Sequence, residues 1–201
     1  MDRKAISHFK KNDLLLYNTI LKIGEIKPYE IRNSGDYFSD LCESIVGQQL
    51  SGKAASTIWG RFISLMPQKK VTPQNVLKVD TEDMRKAGMS YSKAKYVKDL
   101  AEKVKDKLVK LDQLERLSDQ EVVDELVKVK GIGPWTAEMF LMFTLGRPDI
   151  FSHGDLGLRN GIKKIYGENL TREDIENLCN KWSPYRSFAC RILWRSLEVM
   201  D

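Results

Sequence analysis

The stretch Val127-Lys128-Val129-Lys130-Gly131-Ile132-Gly133-Pro134-Trp135-Thr136-Ala137 decides the fold. It reads as helix, glycine turn, helix. Upstream, Ser118 followed by Glu121 fits a capping box, in which the two residues satisfy each other's free backbone donors. Val122, Val123, Leu126 and Val127 then recur at helical spacing. Gly131 and Gly133 can take backbone angles that a side chain forbids, so the chain turns sharply across Lys130 to Gly133. Pro134 suits the first position of a new helix, where its missing N–H costs little. That helix carries Trp135, Phe140, Leu141 and Phe143. The N–H groups at its start, beside two glycines, make an anion site, and phosphate is the natural anion. An ordinary helical hairpin with a glycine-rich turn fits Gly-Ile-Gly equally well.

Downstream lies Ser152-His153-Gly154-Asp155-Leu156-Gly157-Leu158-Arg159. Asp155 follows a polar turn and reads two ways: as the N-cap of the next helix, and as a carboxylate delivered to the mouth of a cleft. Capping does not exclude catalysis. The other histidine is the distant His8, so His153 does not suggest a metal site; it touches phosphate or has no role.

Toward the N-terminus, Phe38, Leu41, Cys42, Ile45 and Val46 form one helical stripe. It stops near Gly47-Gln48-Gln49-Leu50. Ser51 is a good N-cap for the next helix, with Ala54, Ala55, Ile58, Phe62 and Ile63 as its stripe. The two glutamines between these helices are either solvated surface or a plug for the gap left by a flipped nucleotide. Residues 1–35 read as a helix with an apolar group (Leu14, Leu15, Tyr17, Ile20, Leu21), then an irregular segment broken at Gly24, Pro28 and Gly35. Pro67 to Pro73 reads as a linker, and Asp80 caps a short helix that Gly88 ends. Tyr91 to Val109 reads as one longer helix. Its lysines are offset by Asp99, Glu102 and Asp106, so it presents a solvated face or, near Ser90, Ser92 and Lys93, a phosphate-contacting edge. Thr171 with Asp174 caps a further helix, and Ser183-Pro184 starts the last one. No stretch alternates like a strand, so the fold class is all-α.

A length of 201 residues allows one domain or two small ones. Hydrophobic content of 42% suffices for a core, and a net charge of +5 tilts the partner toward nucleic acid only mildly. No apolar run is long enough to span a bilayer, and Met1-Asp2-Arg3-Lys4 lacks the apolar core of a signal peptide. Cys42, Cys179 and Cys190 are far apart in apolar settings; they read as buried thiols in a reducing compartment, without zinc or iron–sulfur spacing.

Four segments together resemble the helix-hairpin-helix DNA glycosylases with a Gly/Pro-rich loop and catalytic aspartate, and within them the alkylation-repair branch of 3-methyladenine DNA glycosylase II type. They are Leu41 to Ser51, Gly88 to Lys95, Val129 to Ala137, and Trp182 to Ser187. The resemblance implies two helical lobes, residues 36–145 with the hairpin at 118–143, and residues 1–35 with 146–201, around a cleft. It implies that Asp155 is the catalytic aspartate. Lys130, Gly131, Gly133 and Thr136 belong to the phosphate clamp, and Gln49, Leu50 and Ser51 to the wedge loop. Ser92, Lys93 and His153 are further DNA contacts, and Trp135, Trp182 and Tyr185 are candidates to stack on the flipped base; Trp182 fits plain core equally well. Trp135 stands where bifunctional relatives place a Schiff-base lysine, so hydrolysis without strand cleavage is expected.

The same resemblance implies no cofactor for chemistry, with a structural Na or K ion in the hairpin held by carbonyls of Val127, Val129 and Ile132. The implied partner is damaged double-stranded DNA, met by a monomer without membrane association. The location would be cytoplasmic and nucleoid-associated in a prokaryote, or nuclear in a eukaryote. The lesions would be alkylated purines, 3-methyladenine and 7-methylguanine, with hypoxanthine as an extension. The competing readings are a glycosylase for mismatched or oxidised bases and a non-catalytic, structure-specific DNA-binding protein. The sequence has Gly154 where close relatives often carry a second acidic residue, which leaves Asp155 as the carboxylate at that spot.

Overall fold

The computed structural model describes residues 3–24 and 35–199. Among them all regular structure is helical: α1 (Arg3–Asn12), α2 (Leu14–Ile23), α3 (Tyr37–Gly47), α4 (Gly52–Ser64), α5 (Pro73–Lys78), α6 (Thr81–Lys86), α7 (Tyr91–Lys105), α8 (Asp119–Leu126), α9 (Pro134–Phe143), α10 (Leu156–Tyr166), α11 (Arg172–Trp182) and α12 (Arg186–Val199). Short 3-10 turns occur at Pro67–Lys69 and Leu111–Arg116. The chain divides into two compact units, residues 32–140 in one and residues 1–31 with 141–201 in the other. The border falls inside α9, a little before the 145/146 boundary expected from sequence. That helix has no polar stripe; Ala137, Phe140, Leu141 and Met142 are all buried.

The contiguous unit is built on α7. Ser90 caps it by accepting the N–H of Lys93, and Ala94, Val97, Leu100 and Ala101 form its buried face. That face packs on α3, α5 and α6. The expected α3 stripe is buried throughout, from Phe38 to Val46. The α4 stripe is weaker, with Phe62 its buried member, and Ser51 stands at the N-cap without a side-chain cap bond. α7 ends at Lys105 and does not run on to Val109. Lys107 takes a left-handed φ of 58°, and the N–H groups of Leu108 and Val109 both return to the Lys103 carbonyl, at 2.8 and 3.2 Å.

The second unit brings both chain ends together, with α2 packed on α10 and α12. The single helix expected near the N-terminus is two. Asp13 interrupts it and caps α2, accepting the Leu16 N–H at 3.0 Å. Its other oxygen accepts the Tyr166 hydroxyl at 2.7 Å and the Trp182 indole N–H at 2.8 Å. Leu16, Ile20 and Ile23 are the buried side of α2, whereas Leu14, Leu15 and Leu21 of the expected apolar group are exposed. Pro28 lies outside the described residues.

Two glycines let α10 and α12 approach. A Cβ on Gly161 would sit 2.8 Å from the Leu193 carbonyl oxygen, and one on Gly157 3.0 Å from the Trp194 ring. α12 starts at Arg186, after the cis Ser183–Pro184 peptide, and not at Ser183. Asp149 holds that corner: it accepts Arg186 Nε and Nη2 at 2.8 and 2.9 Å and Ser183 Oγ at 2.8 Å. Cys42, Cys179 and Cys190 are free and buried; burial pushes the Cys179 thiol up to about 12.

Candidate active site

Asp155 is the N-cap of α10, and its Oδ1 accepts the Leu158 N–H at 2.7 Å. The same oxygen accepts the indole N–H of Trp194 at 3.1 Å. Phe143 stacks on that indole, with centroids 5.9 Å apart and planes 27° apart. The carboxylate is thus largely buried, with its orientation set by a helix start and an aromatic wall. Next to it His153 is exposed; its ring and that of Phe151 form a T-shaped pair with centroids 4.8 Å apart, and its Nε2 lies 3.7 Å from a Glu176 oxygen. Trp194 escaped the sequence reading. Its signal was the i, i+4 spacing to Cys190, a buried position of the same helix.

The hairpin and the loop expected from sequence to act as a wedge both belong to the contiguous unit. The Ser118–Glu121 capping box is present as expected, and α8 ends at Leu126. Val129 and Ile132 are buried and Val127 is exposed; the Val129 carbonyl accepts the Ile132 N–H at 3.1 Å. Gly131 has φ of +84°, and a Cβ there would lie 2.1 Å from Cδ2 of Tyr96, so glycine is obligatory on both counts. Asp99 of α7 accepts the Lys130 backbone N–H at 2.8 Å and the Lys103 ammonium at 2.6 Å, with the Lys130 ammonium 3.5 Å away. Burial alone would raise the Asp99 carboxyl. The hydrogen bonds from Lys103 and from the Lys130 backbone outweigh it and hold the group below the ordinary carboxylate value. Lys103 also donates to the Lys128 carbonyl at 2.7 Å.

In the loop between α3 and α4 Gln49 and Leu50 are exposed, and Gln49 adopts a left-handed φ of 58°. Gln48, read from sequence together with Gln49 as solvated surface or a plug, turns inward. Its Nε2 donates to the Gly131 carbonyl at 2.9 Å and to Thr136 Oγ1 at 3.4 Å.

Residues 42–184 match the model of the HhH-GPD superfamily of base excision DNA repair proteins, a span that runs from α3 through the hairpin and Asp155 to the corner before α12. The chain belongs to the HhH-GPD superfamily. Among similar proteins, DNA-3-methyladenine glycosylase 1 of Schizosaccharomyces pombe is 31% identical over 202 residues, covering 98% of this chain and 89% of its own. A solved structure of the Schizosaccharomyces pombe 3-methyladenine DNA glycosylase in complex with abasic DNA matches with a TM-score of 0.85 and 30% identity, over 98% of both chains. A DNA-3-methyladenine glycosidase from Bacillus halodurans matches with a TM-score of 0.84 and 36% identity, over 97% of this chain and 89% of that one.

For this HhH-GPD protein the geometry corrects three of the sequence assignments. Trp182 is fully buried with its N–H on Asp13, so it is core and offers no face to a base. Lys93 does not point its charge outward. Its ammonium donates to the carbonyls of Val46 and Gln48, at 2.9 and 2.6 Å, closing the C-terminal end of α3, and burial lowers its pKa. The Thr136 hydroxyl faces Gln48 from a buried position and is not presented to a phosphate. Tyr185 is half-buried and meets His8, Phe9 and Phe188 edge-on. Ser51, Ser92, Lys130 and Gly133 are exposed, and Trp135 retains 47% of its surface.

Proposed function

We propose that this HhH-GPD enzyme is a monofunctional glycosylase that releases alkylated purines from double-stranded DNA. The observation that carries the reading is Asp155: a buried carboxylate aimed by a helix start and an indole N–H. The amides of the hairpin grip phosphates, the Gln49–Leu50 tip enters the stack, and the damaged nucleotide leaves the duplex. A purine alkylated at N3 or N7 is already cationic, and the exposed Trp135 face suits it by stacking and cation–π attraction.

The C1′–N bond breaks, its electron pair neutralises the departing base, and positive charge grows on the sugar. Asp155 lies against that charge and accepts the proton of the water whose oxygen bonds to C1′. Trp135 cannot form a Schiff base, which supports hydrolysis without strand cleavage. The relatives' names as 3-methyladenine glycosylases support the lesion class. Main-chain oxygens at Val127, Val129 and Ile132 are the donors that Na or K takes. The Val129 oxygen keeps a second lone pair beside its bond to Ile132, and Val127 caps the negative end of α8. A bound cation would supply positive potential to a phosphate and no bond chemistry.

The test uses methylated DNA and counts free bases. The wild-type chain is expected to release 3-methyladenine and 7-methylguanine, leaving abasic strands intact. Asp155→Asn is expected to lower release at least about a thousandfold while binding a duplex with an abasic-site analogue as before. Unchanged release by this variant removes Asp155 from catalysis, and strand cleavage trapped by borohydride removes the monofunctional assignment. Exchange of potassium chloride for tetramethylammonium chloride at equal ionic strength is expected to weaken binding several-fold if the hairpin holds a cation.

A further inference from the structure

We propose that Gln48 is a positioning residue that couples the wedge loop to the phosphate-gripping hairpin, so that capture of the backbone sets the depth of the wedge. The inference rests on the glycosylase reading above. Gln48 is held at both of its ends. Its main-chain carbonyl accepts the Lys93 ammonium at 2.6 Å, and its side-chain amide donates to the Gly131 carbonyl at 2.9 Å and reaches Thr136 Oγ1 at 3.4 Å. The next residue, Gln49, stands in the left-handed region at φ 58°, and Leu50 follows it, exposed. A non-glycine residue keeps such a conformation only where its neighbours impose it. Gln48 is the neighbour with the ties to impose it.

The mount beneath is a single face of α7. Lys93, Tyr96, Asp99 and Lys103 follow at intervals of three, three and four residues, which places them on one side of the helix. Lys93 holds the wedge loop. Tyr96 lies against Gly131, Asp99 takes the Lys130 N–H, and Lys103 takes the Lys128 carbonyl. Two loops mounted on one rigid helix keep a fixed offset, and Gln48 is the direct strut between them. A phosphate seated on the hairpin then has a defined relation to the Leu50 side chain. The chemistry selects an amide. The Gly131 carbonyl needs a donor, and glutamate, of the same length, presents only acceptors when ionised.

The test compares wild type, Gln48→Glu, Leu50→Ala and the double variant as full chains. Base release is followed in single turnover, and wedge insertion by 2-aminopurine fluorescence opposite an abasic-site analogue. Gln48→Glu is expected to slow release about tenfold, the loss of roughly one strong hydrogen bond. It should also diminish the fluorescence change, while the salt dependence of duplex binding, which counts phosphate contacts, stays as in wild type. Because Gln48 acts through the wedge, the double variant is expected to be no slower than the slower single variant. A purely structural role gives multiplied losses and an altered salt slope, and that result overturns the proposal, as does a wild-type rate in Gln48→Glu. Should this variant not fold, Gln48→Met keeps the length of the side chain and deletes its donor, and wild-type insertion there rejects the coupling. Absence of base release by the wild-type chain defeats the glycosylase reading instead, and the 2-aminopurine signal then decides the coupling alone.

Discussion

At the scale of single residues, the orientation of Asp155 depends on Trp194 and on the absence of a side chain at Gly157. A Cβ there would lie 3.1 Å from Asp155 Oδ1 as well as 3.0 Å from the indole. Trp194→Phe keeps an aromatic ring for Phe143 but deletes the N–H. Base release in single turnover is expected to fall about tenfold, with affinity for an abasic duplex unchanged, because the indole N–H bond to Oδ1 is gone. A drop in affinity of the same size would mean that Trp194 touches DNA instead. The sequence could not rank the tryptophans. Trp182 and Trp194 both lie in helices of the discontinuous unit, and residue type is the same. What separates them is Asp13, more than a hundred and fifty residues upstream, whose carboxylate claims one indole N–H while Asp155 claims the other. Asp155 itself was legible because a lone carboxylate after a polar turn combines a cap with a candidate base.

At the scale of elements, the caps explain which helices were readable. Ser118–Glu121 and Thr171–Asp174 are local capping boxes, and the structure keeps both. The end of α7 was misplaced because no glycine marks it: Lys107 takes the left-handed turn instead. The break at Asp13 was missed because its other partners, Tyr166 and Trp182, are remote in sequence. The role of α7 as a mount was hidden for a related reason. Its charged residues looked solvated, yet Asp99 is buried against the hairpin. This arrangement has a pH signature. The folded-state pKa of Asp99 lies below its ordinary 3.8, so the ionised carboxylate contributes stability above that value, and the contribution disappears as pH falls through the folded pKa. In thermal melts Asp99→Asn is therefore expected to be less stable than wild type at neutral pH. The gap should begin to close as pH approaches about 4 and be gone once Asp99 is protonated in the fold. A gap that is the same across that window would show that the charge of Asp99 does not hold the hairpin.

At the scale of the whole molecule, the two kinds of work in the proposed function fall on different compact units. Residues 32–140 carry the wedge loop and hairpin, whereas Asp155 with Trp194 lies on the unit made by both chain ends. A net charge of +5 is modest for a DNA-binding chain. In the proposed mode of binding, ordered hairpin amides add to this charge, and α7 holds the hairpin firmly. The proposed division carries an expected lesion preference. In the proposed mechanism Asp155 acts on the sugar, Gly154 supplies no second acid beside it, and no step protonates the base. A 7-methylguanine departs as a neutral base without help, so its release is expected to vary little with pH between about 6 and 8. Hypoxanthine in DNA is uncharged and must gain a proton to leave as readily. Its release is expected to be slower by two or more powers of ten and to rise as pH falls across the same range. Both profiles come from one experiment, single-turnover release from duplexes holding either base at a defined position. Equal rates, or a hypoxanthine profile as flat as that of 7-methylguanine, would require a general acid beside the base and would overturn the division of labour between a sugar-directed carboxylate and an already cationic leaving group.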